Sequence, residues 1–256
     1  MISIVVVSLN TAKKFHKTIQ SILNQTTKNY ELIIVDGRSI DETKKYIYKF
    51  KKKIDKVIIE RDKGIYDAMN KGIRKASKEW IYFLNSGDIF FDNNTLKRII
   101  IKLKKKKLIH AVVGNSYVKK GNFKYKSFRK EISHNSVSSS FSHQATFVKT
   151  KLMKKELFDL KYKYAADFHF FLKIYKKNYK INYIDNVISI NLSDGISDTN
   201  KIKVFKEFRE ISLGLNDTFK KRILYYFIIV YFFSTNVIKR ILPNKLVLYL
   251  TKIKNK

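Results

Sequence analysis

The sequence is most distinctive for what it contains little of. Among its 256 residues there is no cysteine and only one proline, Pro243. Without cysteine the chain can form neither a disulfide framework nor a Cys-ligated metal site. The first eight residues, Met1–Ser8, lack the basic segment and cleavage site of a signal peptide, and no internal repeat is visible. These absences predict a cytoplasmic protein.

Acidic residues are also scarce, and the formal net charge is +33 from 54 basic and 21 acidic residues. Such a charge suggests nucleic-acid binding, because lysine and arginine neutralise phosphates. Only eight of the basic residues are arginine, however, and the lysines are spread along the whole chain. We therefore expect a general lysine bias and no nucleic-acid partner. A basic surface still favours contact with anionic lipid.

Hydrophobic residues make up 45% of the chain and aromatic residues 14%, which is enough for a sizeable core. In the first third, short apolar segments alternate with segments of helical periodicity. The predicted strands are Ile2–Val7, Tyr30–Val35, Lys56–Glu60 and Glu79–Leu84, and the predicted helices are Lys13–Gln25, Glu42–Lys53 and Gly64–Ala76. This alternation predicts an α/β fold with a doubly wound, mainly parallel, Rossmann-like sheet.

The pattern loosens after residue 90. Predicted strands are Ile109–Gly114, Ser116–Phe128, Ala145–Lys149, Lys180–Asp185 and Val187–Asn191, and predicted helices are Thr95–Lys107, Ala166–Lys177 and Lys201–Leu215. Two polar segments, Ser133–Ser142 and Ser193–Ser197, are predicted to be loops, and the first is a candidate lid over a substrate.

Three carboxylates follow successive predicted strands: Asp36, Asp62 and Asp88. One acidic strand end is commonplace and often serves as a cap. Parallel connectivity would bring all three to one edge of the sheet, where ligands bind in open α/β sheets. Asp88, on the turn that includes Gly87, would suit a hard cation and a bound diphosphate.

Six short motifs combine these features with further polar residues. They are Ile4–Asn10, Val35–Thr43, Glu60–Ile73, Leu84–Asp88, His143-Gln144 and Ala165–Phe168. In this order, from residue 2 to about residue 198, the chain resembles family 2 glycosyltransferases of the bacterial cell-surface polysaccharide type. The resemblance implies a GT-A fold. We expect a catalytic domain over residues 1–218, with a nucleotide-binding half (1–90) and an acceptor-binding half (91–218), and a separate tail over 219–256.

The resemblance also implies roles for individual residues. Asp167 would be the catalytic base, at a helix start where the macrodipole favours its ionised form, unless it only caps that helix. Asp36 would accept a hydrogen bond from the pyrimidine imide of the donor, unless its own loop satisfies it. His143 would contact the diphosphate or the acceptor, and the alternative is a plain polar loop residue. Asp67 and Asn70 would line the nucleotide or sugar pocket, and the alternative is ordinary helix-surface polarity. The implied nucleotide- and donor-binding residues are Ser8, Asn10, Asp36, Arg38, Asp62, Asp67, Asn70, Asn85, Ser86, His143 and Gln144.

The metal ligand implied by the resemblance is Asp88, the last position of the family's acidic motif. The usual first carboxylate is replaced here, since Asn85 and Gly87 precede a single aspartate. The resemblance implies Mg²⁺ or Mn²⁺ between Asp88 and the diphosphate, where it would neutralise charge on the leaving group.

The predicted activity is inverting transfer of a sugar from a nucleotide sugar, expected to be a UDP-sugar, to a hydroxyl of a saccharide acceptor. A lipid-linked acceptor in polysaccharide, O-antigen or capsule synthesis is expected. Nucleotidyl transfer is a rival, but it would need a glycine-rich loop after the first strand, and Ser8–Thr11 has no glycine. The non-enzymatic rival is a basic protein that binds nucleic acid or anionic membrane.

The tail differs in kind from the rest of the chain. Ile223–Ile238 carries no charge over sixteen residues and is flanked by Lys220–Arg222 and Lys239-Arg240. Because about 20 residues are needed to span a bilayer, we expect a helix that lies in the interface. Pro243 would separate it from a last helix, Lys245–Ile253. This predicts a peripheral position at the cytoplasmic face of the inner membrane, with an oligomer contact as the alternative.

Overall fold

The computed structural model describes residues 1–104, 108–121, 123–127, 131–133, 135–139, 142–192, 200–215 and 217–227. The first part alternates strands and helices as the periodicity predicts. Its elements are β1 (Ile2–Ser8), α1 (Ala12–Leu23), β2 (Tyr30–Asp36), α2 (Thr43–Lys49), β3 (Lys56–Ile59), α3 (Ile65–Lys75) and β4 (Trp80–Phe83).

These four strands are parallel and lie in the order β3-β2-β1-β4. Strand β1 is central, and Ile2 pairs with both Tyr30 and Trp80. All seven residues of β1 are buried, which is why its sequence is a continuous apolar run and does not alternate. The carboxyl ends of the four strands therefore open onto one edge of the sheet.

The second part extends the same sheet with mixed pairing, in the order β4-β8-β6-β9-β5, and β7 pairs with β6. Its elements are β5 (Ile89–Phe90), α4 (Thr95–Lys104), β6 (Ala111–Lys120), β7 (Phe123–Ser127), β8 (Thr146–Lys149), α5 (Thr150–Lys155), α6 (Ala166–Lys176), β9 (Ile181–Leu192) and α7 (Lys201–Leu215). The predicted α/β fold with a mostly parallel sheet is confirmed.

Two predicted strand boundaries are wrong. Strand β6 runs through the predicted break at Asn115, and the predicted strand Ser116–Phe128 is in fact a hairpin that turns at Gly121, with φ of 57°. Likewise β9 runs through the predicted break at Asn186, with a register shift against β6. Gly114 belongs to this irregularity: a Cβ there would lie 2.6 Å from Ile188 Cγ1, so glycine marks a close approach of two strands and not a strand end.

The core joins the two parts of the sheet through aromatic rings. Trp80 and Tyr82 on β4 are buried, and the Tyr82 ring stacks on Phe147 at 4.5 Å and on Phe90 at 5.3 Å. Since β8 carries Phe147, this stack fixes the strand that leads out of the 143–145 turn. The stack therefore holds one wall of the candidate site.

The chain forms two compact units, Met1–Ile211 and Ser212–Lys256. In the second unit, residues 219–227 are helical, with Tyr225 buried and Phe219 77% exposed. The predicted tail helix starts within these residues, whereas 228–256, with Pro243 and Lys245–Ile253, lie outside the described residues, as does the predicted loop Ser193–Ser197. Within the described ranges, no helix is long and apolar enough to cross a membrane. The predicted division at residue 218 and the two predicted halves of the catalytic domain stay predictions.

Candidate active site

A cleft of about 380 Å³ opens at the carboxyl edge of β1 and β4. Seven of the residues singled out in the sequence line it: Ser8, Asp62, Asn85, Ser86, Asp88, His143 and Gln144. Further lining comes from Lys14 on α1, Tyr66 on α3 and the segment Lys163-Tyr164. The six other predicted residues, Asn10, Asp36, Arg38, Asp67, Asn70 and Asp167, do not line this cleft.

Asp36 ties together the loops that follow β1 and β2. Its buried carboxylate accepts hydrogen bonds from Ser8 Oγ at 2.8 Å, from Ser39 Oγ at 2.6 Å and from Ser39 N at 2.7 Å. This is the alternative in which the loop itself satisfies the carboxylate. An imide contact by Asp36 stays a prediction.

The same two loops hold two residues in the left-handed region, Asn10 with φ of 53° and Arg38 with φ of 67°. Asn10 Oδ1 accepts from Ile40 N at 2.8 Å, so the two loops are locked to each other. Asparagine tolerates this conformation, but for arginine it is uncommon. Such backbone strain is concentrated at functional sites. Both side chains are exposed at the rim of the sheet edge.

Asp62 approaches these loops from the β3–α3 connection. Its Oδ1 accepts from Gly64 N at 3.0 Å, and a Cβ placed on Gly37 would overlap with Asp62 Oδ2. Glycine at position 37 therefore permits Asp62 to lie against the end of β2. Asp62 and Asp88 both reach the cleft, as expected, whereas Asp36 is buried beneath it.

Neither Asp67 nor Asn70 on helix α3 lines the cleft, and their place in the nucleotide or sugar pocket stays a prediction. Asp67 Oδ2 accepts a hydrogen bond from Lys63 N at 3.0 Å, in the loop just before its own helix. Asn70 is buried and clamps the backbone of Phe158, with its Nδ2 donating to Phe158 O at 2.9 Å and its Oδ1 accepting from Phe158 N at 3.0 Å. The helix residues that line the cleft are Ile65, Tyr66 and Ala68. Tyr66 lies in the motif Glu60–Ile73, but sequence spacing alone does not show how the helix is rotated about its axis.

Asp88 sits on a turn anchored from several sides. Gly87, with φ of 107°, donates its N–H to Thr18 Oγ1 at 2.9 Å. The Asp88 carboxylate is 6% exposed and accepts from Gln144 Nε2 at 3.0 Å and from Leu192 N at 3.0 Å. Its orientation is therefore set by the 143–145 turn and by the end of β9.

Asp167, on the first turn of α6, is the centre of a hydrogen-bonded cluster. Its Oδ1 accepts from the Tyr66 hydroxyl at 2.9 Å and from Phe168 N at 2.9 Å, and its Oδ2 lies 3.0 Å from His143 Nδ1. His143 Nε2 in turn lies 3.1 Å from Asn85 Nδ2. A neutral imidazole with its proton on Nδ1 satisfies both contacts, by donating to Asp167 and accepting from Asn85.

These contacts shift two pKa values in opposite directions. Burial disfavours the charged form of Asp167, but hydrogen bonds from His143, Tyr66 and the Phe168 backbone outweigh it and hold the pKa of this carboxyl below its usual range. Burial and the neighbouring Asp167 charge raise the pKa of Tyr66 well above its usual value. Asp167 is therefore an ionised acceptor, and Tyr66 a neutral donor, at neutral pH.

A divalent cation would find oxygen donors on the turn after β4. Across the described residues there is no group of three or more His, Asp or Glu side chains able to enclose a metal ion. Besides Asp88, however, the cleft is lined by Asn85, whose Oδ1 is buried and has no hydrogen-bond partner. A carboxylate and an amide oxygen suit Mg²⁺ or Mn²⁺ that takes its other ligands from phosphate and water. The residues present fit such an ion.

The fold and the site together define the class of protein. Polar turns that converge at the carboxyl ends of parallel strands, around a cleft with a buried carboxylate, are the arrangement of an α/β nucleotide-binding enzyme. The model of the family described as "Glycosyl transferase family 2" matches residues 3–181. The chain belongs to glycosyltransferase family 2.

Two relatives illustrate the range of the family. The chain is 29% identical over 211 residues to the PGL/p-HBAD biosynthesis glycosyltransferase of Mycobacterium bovis, covering 80% of this chain and 82% of the relative. It is 34% identical over 96 residues to the poly(ribitol-phosphate) beta-N-acetylglucosaminyltransferase TarP of Staphylococcus aureus, covering 36% of this chain and 29% of TarP.

Solved structures share the fold at low sequence identity. S. aureus TarS 1-349 in complex with UDP-GlcNAc superposes with a TM-score of 0.67 at 19% identity, covering 84% of this chain but 66% of the TarS chain. Glucosyl-3-phosphoglycerate synthase from Mycobacterium tuberculosis, solved with Mn²⁺, UDP and glucosyl-3-phosphoglycerate, gives 0.60 at 13% identity, covering 84% and 79%.

The predicted family, the GT-A fold and the glycosyltransferase activity are confirmed by these matches. The two rivals, nucleotidyl transfer and non-enzymatic binding, are set aside. Residues 182–256, which include α7 and the tail, lie beyond the matched range.

Proposed function

We propose that the chain is an inverting transferase that moves a sugar from a UDP-sugar to a hydroxyl of a saccharide acceptor, in the synthesis of a cell-envelope polysaccharide. One observation carries this proposal: an ionised carboxylate with three hydrogen-bond donors, on a side chain that is 15% exposed, contacts His143 and Tyr66 in the lining of a nucleotide-sized cleft. Support for the donor comes from the UDP-GlcNAc and UDP complexes of TarS and of glucosyl-3-phosphoglycerate synthase.

In the proposed reaction Asp167 acts as the general base. Its Oδ2, which contacts His143, takes the proton from the acceptor hydroxyl. The hydroxyl oxygen bonds to the anomeric carbon from the face opposite the diphosphate, and the bond from that carbon to the phosphate oxygen breaks. UDP leaves with the electron pair. A single displacement inverts the anomeric configuration.

The donor would bind across the sheet edge. Asp36 and Arg38 would recognise the uracil end, and Ser8, Asn10 and Asp62 would hold the nucleoside. Lys14, which lines the cleft, would add positive charge beside the diphosphate. Asn85, Ser86, His143 and Gln144 would contact the sugar and phosphate. Asp67 and Asn70 give way to Tyr66 in this proposal, since their side chains are engaged with Lys63 and Phe158.

Asp88, with Asn85 Oδ1, would hold the divalent cation. When bound, Mg²⁺ or Mn²⁺ supplies charge neutralisation for the departing diphosphate. Gln144 and the Leu192 backbone keep the Asp88 carboxylate pointed at the cleft. Because a single aspartate is present here, further oxygen ligands would have to come from the bound donor or from water.

We further propose that the acceptor is lipid-linked and that the tail places the enzyme at the cytoplasmic face of the inner membrane. Support comes from residues 219–227, where Phe219, Tyr226 and Phe227 are 77%, 65% and 63% exposed beside Lys220 and Arg222. Aromatic and basic residues together favour the interface of an anionic membrane. An oligomer contact through the same residues is the alternative.

The first test of the base is Asp167→Asn, which keeps the size of the side chain but cannot take the proton. We expect sugar transfer to fall by at least about 100-fold, within the usual contribution of a general base. Stabilisation of the protein by UDP should match that of the wild type. Retained transfer by the variant would remove Asp167 from this role.

A further inference from the structure

The backbone immediately before helix α6, which carries Asp167, is held by a distant part of the chain. The N-cap residue is Ala165, whose side chain makes no capping hydrogen bond. Instead the Glu207 carboxylate on α7 accepts hydrogen bonds from three consecutive backbone N–H groups. Oε1 accepts from Lys163 N at 2.8 Å, and Oε2 accepts from Tyr164 N at 2.8 Å and from Ala165 N at 2.9 Å.

Three donors on one carboxylate hold this segment far more rigidly than a single bond. Hydrogen bonds to an ionised acceptor are shorter and stronger than neutral ones. The carboxylate also lies at the amino end of an eleven-residue helix, where the macrodipole favours negative charge. Glu207 thus fixes the backbone immediately before α6.

The segment that Glu207 holds is part of the site. Lys163 and Tyr164 line the cleft, and the Tyr164 carbonyl oxygen lies 3.1 Å from the Tyr66 hydroxyl that also contacts Asp167. Asp167 follows Ala165 by two residues. A displacement of the 163–165 backbone would therefore move both the Asp167 carboxylate and one of its donors.

Other contacts between α7 and this part of the chain are of a different kind. The Phe208 ring packs edge-on against Phe168 at 5.0 Å, and Glu210 pairs with the Lys161 side chain at 2.5 Å. Glu210 is 51% exposed, and its partner is a flexible side chain and not the backbone. Exposed pairs of this type contribute little.

We infer that Glu207 is a positioning residue of the transfer reaction, which holds Asp167 at its working distance from the acceptor hydroxyl. Glu207 then supports the catalytic site although it lies beyond residue 181, where the family match ends. This inference rests on the proposed role of Asp167.

The test compares Glu207→Gln and Glu207→Ala with Glu210→Gln in the full chain. Gln keeps the shape of Glu207 but offers one acceptor oxygen where two are needed. We expect the kcat of Glu207→Gln and of Glu207→Ala to fall by about 10- to 100-fold, since a displacement of about 1 Å at a reacting group has effects of this size. The KM for the UDP-sugar and the thermal shift produced by UDP should stay within about twofold of wild type, and Glu210→Gln should retain full kcat.

Two results would overturn the inference: a wild-type kcat in Glu207→Gln, or a parallel loss of kcat and of UDP binding, which would mark a purely structural residue. Circular dichroism of Glu207→Gln shows that the comparison is made on folded protein. Asp167→Asn in the same assay distinguishes a failure of the proposed base from a failure of the proposed positioning role of Glu207. If it retains turnover, the proposed base is wrong; if it is inactive while Glu207→Gln is normal, only the role of Glu207 is wrong.

Discussion

If Asp167 is the general base proposed above, it must be ionised at the pH of the reaction, and its surroundings favour the ionised form. Burial opposes ionisation, yet the hydrogen bonds from His143, Tyr66 and the Phe168 backbone lower the pKa below the usual value of an aspartate. Activity that depends on the ionised form is present above this pKa and is lost as the pH falls through it. The acid limb of the kcat profile should therefore lie lower than for an ordinary aspartate.

Tyr66→Phe tests this account of the pKa. The change removes one hydrogen bond to Asp167 and leaves the ring, so the pKa of Asp167 should rise and the acid limb of kcat should move to higher pH. Tyr162→Phe is the matched control, since the Tyr162 ring lies tilted against His169 at 4.9 Å and has no hydrogen bond to Asp167. Superimposable profiles for Tyr66→Phe and wild type would contradict the account.

The residues at the site show what sequence spacing can and cannot provide. Asp88 was predicted because a buried strand delivers the following turn to a known edge, whereas Asn85 and Ser86 were implied by the family resemblance. The contacts of Asn70 with Phe158 were not predictable, since they join residues 88 apart in the chain and depend on how α3 is rotated. Glu207 escaped notice for the same reason, because a surface-type glutamate on a helix carries no local signal.

Among the elements, α3 and β1 are in unusually close contact. Gly72 faces Val5, and a Cβ placed on it would overlap with Val5 Cγ1. This contact fixes the helix that carries Tyr66 against the central strand. The glycine is needed for space and not for its backbone freedom.

Gly72→Ala should therefore destabilise the protein despite the better helix propensity of alanine. Overpacking costs about 1–3 kcal/mol, and the gain in propensity is about 1 kcal/mol, so urea unfolding should show a net loss of up to about 2 kcal/mol. Gly214→Ala is the control, since a Cβ at Gly214 on α7 meets no atom within 4 Å. An equal effect of both substitutions would show that Val5 does not restrict α3.

The elements themselves were predictable where they are long and periodic. All four strands and three helices up to residue 83 appear where the pattern placed them. Strand β5, with two residues, and helix α5, with six, are too short to show a period. The breaks expected at Asn115 and Asn186 failed because a sheet absorbs a polar residue in a bulge without ending the strand.

For the whole molecule, the sequence predicted the class of the fold but not the path of the sheet. The insertion of β8 between β4 and β6 depends on pairing such as Tyr82 with Phe147, which no local pattern encodes. The net charge of +33 is likewise a property of the whole chain. This charge attracts the protein to anionic surfaces, and the attraction does not depend on any single residue.

If the tail meets a membrane, the full chain should sediment with phosphatidylglycerol vesicles, and less so as salt is raised. Phe219→Ser and Phe227→Ser should each weaken this binding roughly tenfold, as expected from burying one aromatic side chain. Tyr48→Ser, at a residue 78% exposed on α2, should have no effect. Absence of vesicle binding, with self-association lost in the Phe variants, would favour an oligomer contact instead.

The most direct test of the proposed UDP-sugar site is the thermal stability of wild type and Asp88→Ala with UDP, GDP and dTDP, each with and without Mn²⁺. A ligand bound to the native state raises stability by mass action, by about 2.7 kcal/mol at 100 times its Kd. We predict a rise in Tm with UDP that is largest with Mn²⁺ and loses its Mn²⁺ dependence in Asp88→Ala. A wild-type protein that no nucleotide stabilises, or an equal Mn²⁺ effect in the variant, would contradict the proposed donor site.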